Sequence, residues 1–210
     1  EVKSVHGILA DLGLSSHHLD SSIRGFSYYS EAPLDMRMNR EQKQTASDIV
    51  SHYSESALES VLKNFGELTN ARIVAAQLVQ DRRKRSFVSC MDLARWAEKF
   101  AYGKRTKYLA QLFQALRIEV NREMESLGLF LQQAAEVLEP GGRLVVISYH
   151  SLEDRMVKQL LKASVEKNKH EAGAQHELKS LFKHALTPEL SEIESNPRSR
   201  SAKMRVGVKN

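Results

Sequence analysis

The chain has 210 residues, of which 41% are apolar and 27% charged, with 10 glycines and 4 prolines. These proportions are those of a folded globular protein with a sizeable core, and they exclude a disordered or fibrous chain. No run of about 18 apolar residues occurs, which argues against a membrane-spanning helix. The single cysteine, Cys90, excludes an internal disulfide and a cysteine-rich zinc site, and it favours a reducing, cytoplasmic compartment.

Basic side chains outnumber acidic ones and give a formal net charge of +5. A basic excess favours polyanionic partners such as nucleic acid, although many unrelated proteins share it. Basic residues cluster at 82–85 and again at 198–205. Either cluster is compatible with a phosphate-binding surface or with an ordinary solvated face.

The first half of the chain contains one strand pattern and then helices. Residues 5–10 are a short apolar run, which predicts a central strand of a parallel sheet with both faces buried. Residues 14–40 show no period, which predicts a long loop. Thr45 then begins a helical pattern, and the spacing of apolar residues predicts an all-helical unit from about 40 to 105.

The second half alternates helix and strand. A long amphipathic pattern through residues 109–138 predicts helix up to the Pro140-Gly141-Gly142 turn, and 143–148 is the clearest strand. Ser151 is the predicted N-cap of the next helix. Weaker strands are predicted around 180–186 and 202–208. The pattern therefore predicts an α/β fold with a doubly wound sheet, which binds ligands beyond the carboxyl ends of its strands.

Unusual motifs follow the two strongest strands and recur elsewhere in the chain. They are DLGLSSHHLD at 11–20, RGFS at 24–27, PLDMRM at 33–38, FQALRIEVN at 113–121, SYHSLEDR at 148–155 and NPRSRS at 196–201. In this order they closely resemble the MraW/RsmH group of S-adenosylmethionine-dependent methyltransferases. Those enzymes modify the N4 amine of a cytidine in the decoding region of small-subunit ribosomal RNA.

The resemblance implies a Rossmann-like methyltransferase sheet with an inserted all-helical domain. Residues 1–22 and 106–210 would form the methyltransferase core, and residues 23–105 would form the active-site loop and the helical insertion. The segments 5–10 and 144–148 would be the fourth and fifth strands, with the last two strands antiparallel at the edge. The family's glycine-rich cofactor loop and first strands have no counterpart here, so we expect a truncated chain with impaired cofactor binding.

The resemblance also assigns roles to individual residues. Asp11 would contact the cofactor or the substrate amine, and His18 would contact the cofactor at a position where the family usually has Gln. Tyr149 and His150 would join Asp11 as catalytic residues by stacking on, or bonding to, a flipped base. The predicted RNA-binding residues are Arg24, Arg37, Arg198 and Arg200, because guanidinium groups pair with phosphate oxygens. No metal site is predicted.

Several alternatives stay open at this stage. The leading function is direct methyl transfer from S-adenosylmethionine to cytidine N4 without a covalent enzyme intermediate. The alternative is a non-catalytic fragment that binds RNA or the small ribosomal subunit. Arg117 and Asn121, one helical turn apart, either anchor the long loop or reach the substrate. An incomplete sheet would expose apolar surface, which predicts pairing with a partner such as a second copy in a homodimer, strand swapping, or disorder near the N-terminus.

Overall fold

The computed structural model describes residues 3–15, 23–167 and 178–210. Its contacts divide the chain into two compact units. The sheet unit combines Glu1–Gly13 with Met124–Asn210, and the helical unit is Leu14–Glu123. The helix that follows residue 105 packs with the helical unit. No described helix is long and apolar enough to cross a membrane.

The sheet unit contains four described strands in the order β1-β2-β4-β3. The first two strands are parallel, and β4 is antiparallel to both β2 and β3. The α/β class, the parallel pair and the antiparallel pairing of the last two strands are therefore confirmed. Strands β1 to β4 span Val5–Asp11, Leu138–Ser148, Leu178–Ser180 and Lys203–Lys209.

Two helices supply most of the apolar cover of this sheet. Buried Leu131 and Ala135 come from α6, and Val157 and Leu161 come from α7. They pack in one cluster with the buried face of β2, represented by Leu144. The helices whose residues lie in this unit are α6 (Glu123–Val137, from Met124 onward), α7 (Ser151–Lys167) and α8 (Leu190–Ser195).

The first strand is not buried on both faces, so that prediction is wrong. Strand β1 lies at one end of the described sheet order, and Leu9 is 70% exposed. An apolar run predicts a strand, but its burial depends on what packs against each face. That information is not present in the run itself.

The helical unit forms around its own core. Helices α1 to α5 span Ala46–His52, Glu55–Asn64, Ala71–Asp81, Cys90–Ala97 and Arg105–Asn121. Thr45, where the helical pattern was predicted to begin, forms a capping box with Asp48 at α1, and Ser89 forms a second one with Asp92 at α4. Each box satisfies backbone N–H groups that the first helical turn leaves without partners. The all-helical prediction for this region is confirmed.

Two predicted element boundaries were wrong. The long amphipathic pattern is two helices, because Arg122 adopts a left-handed conformation at φ 48° and ends α5. Strand β2 begins at Leu138 and includes the predicted turn, where Gly141 has φ 81° and the pairing with β1 shifts register. Helix α7 begins at Ser151 itself, and the His150 carbonyl accepts the first helical N–H.

The described part of the long loop is packed into the helical unit. Phe26, Leu34 and Met36 are buried in its core. The Asn121 side chain holds the loop: its Oδ1 accepts from the Met38 N–H at 2.7 Å, and its Nδ2 donates to the Met36 carbonyl at 2.8 Å. These contacts support a role for Asn121 in anchoring the loop rather than in reaching the substrate.

Candidate active site

The carboxyl ends of β1 and β2 lie side by side in the sheet unit. Asp11 is in register with Ile147, and the Leu12 N–H continues the ladder to the Ile147 carbonyl at 3.0 Å. Parallel strands end at the same edge, so the residues that follow them meet there. The Tyr149 hydroxyl accordingly donates a 2.9 Å hydrogen bond to Oδ1 of Asp11.

Gly13 allows the chain to turn beside the Tyr149 ring. Its φ is 87°, a left-handed conformation that side chains rarely adopt. A Cβ at this position would be 3.6 Å from the Tyr149 ring, which is an ordinary contact. The requirement for glycine here is therefore backbone conformation rather than space.

Tyr149 is held in its protonated state. Burial raises the pKa of its hydroxyl, and the hydrogen bond to Asp11 and the negative charges of Asp11, Glu153 and Glu192 raise it further, to about 12. At neutral pH the hydroxyl is therefore a hydrogen-bond donor, and Asp11 is the acceptor. The pair is a carboxylate with one oxygen held in place by a neutral phenol.

His150 is nearly buried and faces a buried carboxylate. Its side chain is 10% exposed, and Nε2 lies 3.1 Å from Oε1 of Glu153. This is an ion-pair distance, but neither ring nitrogen has a well-directed hydrogen bond among the described residues. His150 therefore follows Tyr149 directly in the chain, but the imidazole ring of His150 packs against Glu153.

Glu153 fixes the loop that carries the site, and the sequence analysis missed it. Its Oε2 accepts from the backbone N–H groups of Tyr149 at 2.8 Å and His150 at 3.3 Å. Burial raises the pKa of this carboxyl, but the contact with His150 and the two N–H groups outweigh burial and lower it. The available signal was an acid three residues after His150, the spacing of a residue that caps the helix start.

Asp154, one residue later, makes a different contact. Its carboxylate accepts from the Arg205 guanidinium, with Oδ1–Nε 2.6 Å and Oδ2–Nη2 3.2 Å. The Lys203 ammonium lies 3.6 Å from the same group. Burial raises the pKa of Asp154, but these cations outweigh burial and lower it. The pair ties the start of α7 to β4.

The predicted RNA-binding arginines differ in how they are engaged. Arg24 donates to the carbonyls of Arg37 and Met38, at 2.7 and 3.0 Å. Arg37 makes two bonds to Asp35, at 2.7 and 2.9 Å, and further bonds to loop carbonyls. Arg198 and Arg200 lie in the short 3-10 helix Pro197–Ser201, and both residues are exposed. The predicted cofactor residue His18 lies outside the described residues.

The only cysteine of the chain is not placed for nucleophilic chemistry. Cys90 is buried at the start of α4, and its Sγ lies 3.2 Å from the Gly25 carbonyl. Burial raises the pKa of the thiol to about 12. The reactive thiolate form is therefore essentially absent at neutral pH.

The chain matches known proteins over its whole length. The model of the MraW methylase family matches residues 1–210. A ribosomal RNA small subunit methyltransferase H from Bacteroides thetaiotaomicron is 46% identical over 214 residues, covering 100% of this chain and 70% of the relative. The protein of that name from Cytophaga hutchinsonii is 45% identical over 214 residues, covering 98% of this chain and 70% of the relative. The chain therefore belongs to the MraW methylase family.

Proposed function

We propose that this chain transfers a methyl group from S-adenosylmethionine to the N4 amine of a cytidine in the decoding region of small-subunit ribosomal RNA. Family membership and the names of the relatives support an rRNA methyltransferase. The main structural support for an active site here is the Asp11–Tyr149 hydrogen bond at the ends of two adjacent parallel strands. Ligands of such sheets bind at that edge.

Asp11 fits a role in holding the cofactor and the substrate amine. The residue is exposed, one of its oxygens accepts from Tyr149, and no other hydrogen bond to the carboxylate occurs within the described ranges. A carboxylate oxygen accepts from amines, and both the cofactor and cytidine carry one. His18, in the segment after Gly13, is the second residue proposed to contact the cofactor.

The remaining chemistry is an in-line transfer. When bound, the cofactor supplies a methyl group on a cationic sulfur. Cytidine N4 forms the new N–C bond while the C–S bond breaks and its electron pair stays on sulfur. The nitrogen must then lose a proton, and Asp11 accepts it because the Tyr149 hydroxyl is already protonated at neutral pH. Orientation of the weakly nucleophilic amine is the main task of these residues.

The other predicted site residues take supporting roles. The Tyr149 ring stacks on the flipped cytosine, and His150 contacts the base edge or a phosphate. Arg198 and Arg200, which are exposed, bind RNA phosphates. Arg24 and Arg37 bind backbone carbonyls and Asp35, so their contribution to RNA binding is to shape the loop around them.

Methyl transfer tests the proposal directly. Small ribosomal subunits that lack the modification are incubated with S-adenosylmethionine labelled in its methyl group, and the labelled nucleotide is mapped by mass spectrometry. The Bacteroides thetaiotaomicron relative serves as the positive control. Label on N4 of one cytidine supports the proposal. A chain that binds the particle but adds no label, while the control is active, instead favours the alternative of a truncated, non-catalytic chain that binds RNA.

A further inference from the structure

A basic groove lies on the sheet unit, apart from the strand-end residues described above. It has a volume of about 330 Å³ and lies between α7 and the strands β3 and β4. Helix α7 contributes Lys158, Leu161 and Lys162 to its lining. The opposite side is formed by Ser180, Phe182, Lys183 and Arg205.

The charge of this groove is positive and largely uncompensated. Arg205 is paired with Asp154. The other three cations, Lys158, Lys162 and Lys183, are exposed, and none has a carboxylate within 4 Å in the part of the chain that the structure describes. None of the described residues that line the groove is acidic. Such a surface attracts an anion that can contact several ammonium groups at once.

The spacing of the lysines suits a chain of anions. Lys158 and Lys162 are one helical turn apart on α7, and that spacing places both on the same face, about 6 Å apart along the axis. Lys183 faces them from the segment after β3. A polyanion with regularly spaced phosphates can contact all three, whereas a single small anion cannot use the whole groove.

An exposed aromatic ring completes the surface. Phe182 is 40% exposed although it is fully apolar. Its segment is held to β4 on both sides, by the Leu181 N–H bonded to the Val206 carbonyl at 2.8 Å and by the Leu186–Met204 bridge. The backbone that carries the ring is therefore held in place, which reduces the entropy of the chain that is lost when a partner packs on it.

We propose that this groove binds a single-stranded segment of the RNA substrate, with phosphates on Lys158, Lys162 and Lys183 and a base stacked on Phe182. Lysines combined with an exposed aromatic ring form the usual surface for single-stranded nucleic acid. The inference relies on the proposed function only for the identity of the partner as RNA. Because α7 begins next to Tyr149 and His150, RNA bound along this helix extends from the methylation site.

Binding of a fluorescent single-stranded oligoribonucleotide, measured without cofactor over a range of salt concentrations, tests the groove. Replacing all three lysines with Ala is expected to weaken binding by about tenfold or more. It should also reduce the slope of log affinity against log salt by about 2, since each phosphate contact to a single strand contributes about 0.7. Phe182→Ala is expected to weaken binding by about tenfold with the salt slope unchanged.

The matched control replaces Lys63, Lys104 and Lys107 with Ala, which removes the same charge from exposed positions of the helical unit. Thermal unfolding checks that all variants are folded. Unchanged RNA affinity in the groove variant, or an equal loss in the control, overturns the inference. The inference is also overturned if the groove variant loses affinity for the small subunit but keeps its affinity for protein-free RNA, because the groove would then bind an acidic protein. Groove-dependent RNA binding without methyl transfer would refute the proposed function alone.

Discussion

Tyr149 donates a 2.9 Å hydrogen bond to Asp11 across the ends of two parallel strands that are far apart in the sequence. The two residues are 138 positions apart, and the whole helical unit lies between them in the chain. Burial and the carboxylate keep the phenol protonated, and the phenol in turn holds one oxygen of the carboxylate. This reciprocal arrangement is the basis of the first two predictions.

Asp11→Asn removes the negative charge and the proton-accepting carboxylate while keeping the shape of the side chain and one hydrogen-bond acceptor oxygen. We expect the rate of methyl transfer at saturating cofactor and RNA to fall by about 10²–10³, since a positioned proton acceptor contributes about that factor. If Asp11 acts on the cytidine amine, kcat falls, whereas contact with the cofactor alone would raise the KM for S-adenosylmethionine. Glu136→Gln, an exposed position of the same unit, is the control. Unchanged kcat and KM in Asp11→Asn would remove this residue from the site.

The raised pKa of Tyr149 predicts its ultraviolet titration. The difference spectrum between the parent and Tyr149→Phe should titrate with a midpoint of about 12, and Asp11→Asn should shift that midpoint down. The unfolded phenol has a pKa of about 10, so the stabilisation is complete below pH 10 and is lost as pH rises toward 12. Urea unfolding at pH 9 and at pH 11 should show that the free energy of unfolding falls more between these two pH values in the parent than in Tyr149→Phe. A midpoint at the ordinary value would contradict the burial of this hydroxyl beside Asp11.

The Asp154–Arg205 pair should stabilise the sheet unit. The two side chains are 13% and 11% exposed, so removing one partner leaves a nearly buried charge. We expect Arg205→Met to lower the free energy of unfolding by about 3 kcal/mol, and the double variant with Asp154→Leu to lose less than the sum of the single variants. Chemical denaturation of the four proteins measures this cycle.

The Asp154–Arg205 pair also predicts how the free energy of unfolding changes at low pH. The pKa of Asp154 is lowered in the folded state, so its stabilising contribution is present above the unfolded value of about 4 and is lost as pH falls below it. The pH dependence of unfolding below pH 4 should therefore be weaker in Asp154→Asn than in the parent. Equal acid sensitivity of the two proteins would show that the pair does not stabilise the folded state.

Two glycines with the same backbone conformation should respond differently to alanine. Gly25 and Gly103 have φ 73° and 75°. A Cβ on Gly25 would clash with the Pro33 carbonyl oxygen, whereas a Cβ on Gly103 would meet nothing within 4 Å among the described residues. Gly103→Ala should lower the free energy of unfolding by about 1 kcal/mol, which is the cost of placing alanine in a left-handed conformation. Gly25→Ala should cost clearly more, because the loop must also move. Equal losses in unfolding free energy would argue against the tight packing of this loop.

Local sequence signals determined much of the fold. The capping boxes at Thr45 and Ser89, the strand of residues 143–148 and the all-helical insertion depend on contacts within a few residues, and such contacts can be read from spacing. The motifs after the two strands indicated Asp11 and Tyr149, because parallel strands end at one edge. The family followed from the same motifs.

The tertiary structure decided what depends on distant neighbours. Leu9 is exposed although it lies in an apolar run, because burial is set by what packs on the strand. Glu153 lies against His150 and two backbone N–H groups, and only the folded loop brings these groups to its carboxylate. Arg24 and Arg37 likewise bond to loop carbonyls that only the folded loop presents to them.

The sequence by itself therefore determined the family and most of the helices and strands, although not all of their boundaries, and it indicated the strand-end residues Asp11 and Tyr149. Only the tertiary structure decided which charges are paired, as with Arg205, and which are available, as with the groove lysines. The physical reason is the distance along the chain over which each interaction acts. Helix caps and periodicity act over a few residues, whereas ion pairing, burial and pKa shifts depend on groups that the fold brings together from far along the chain.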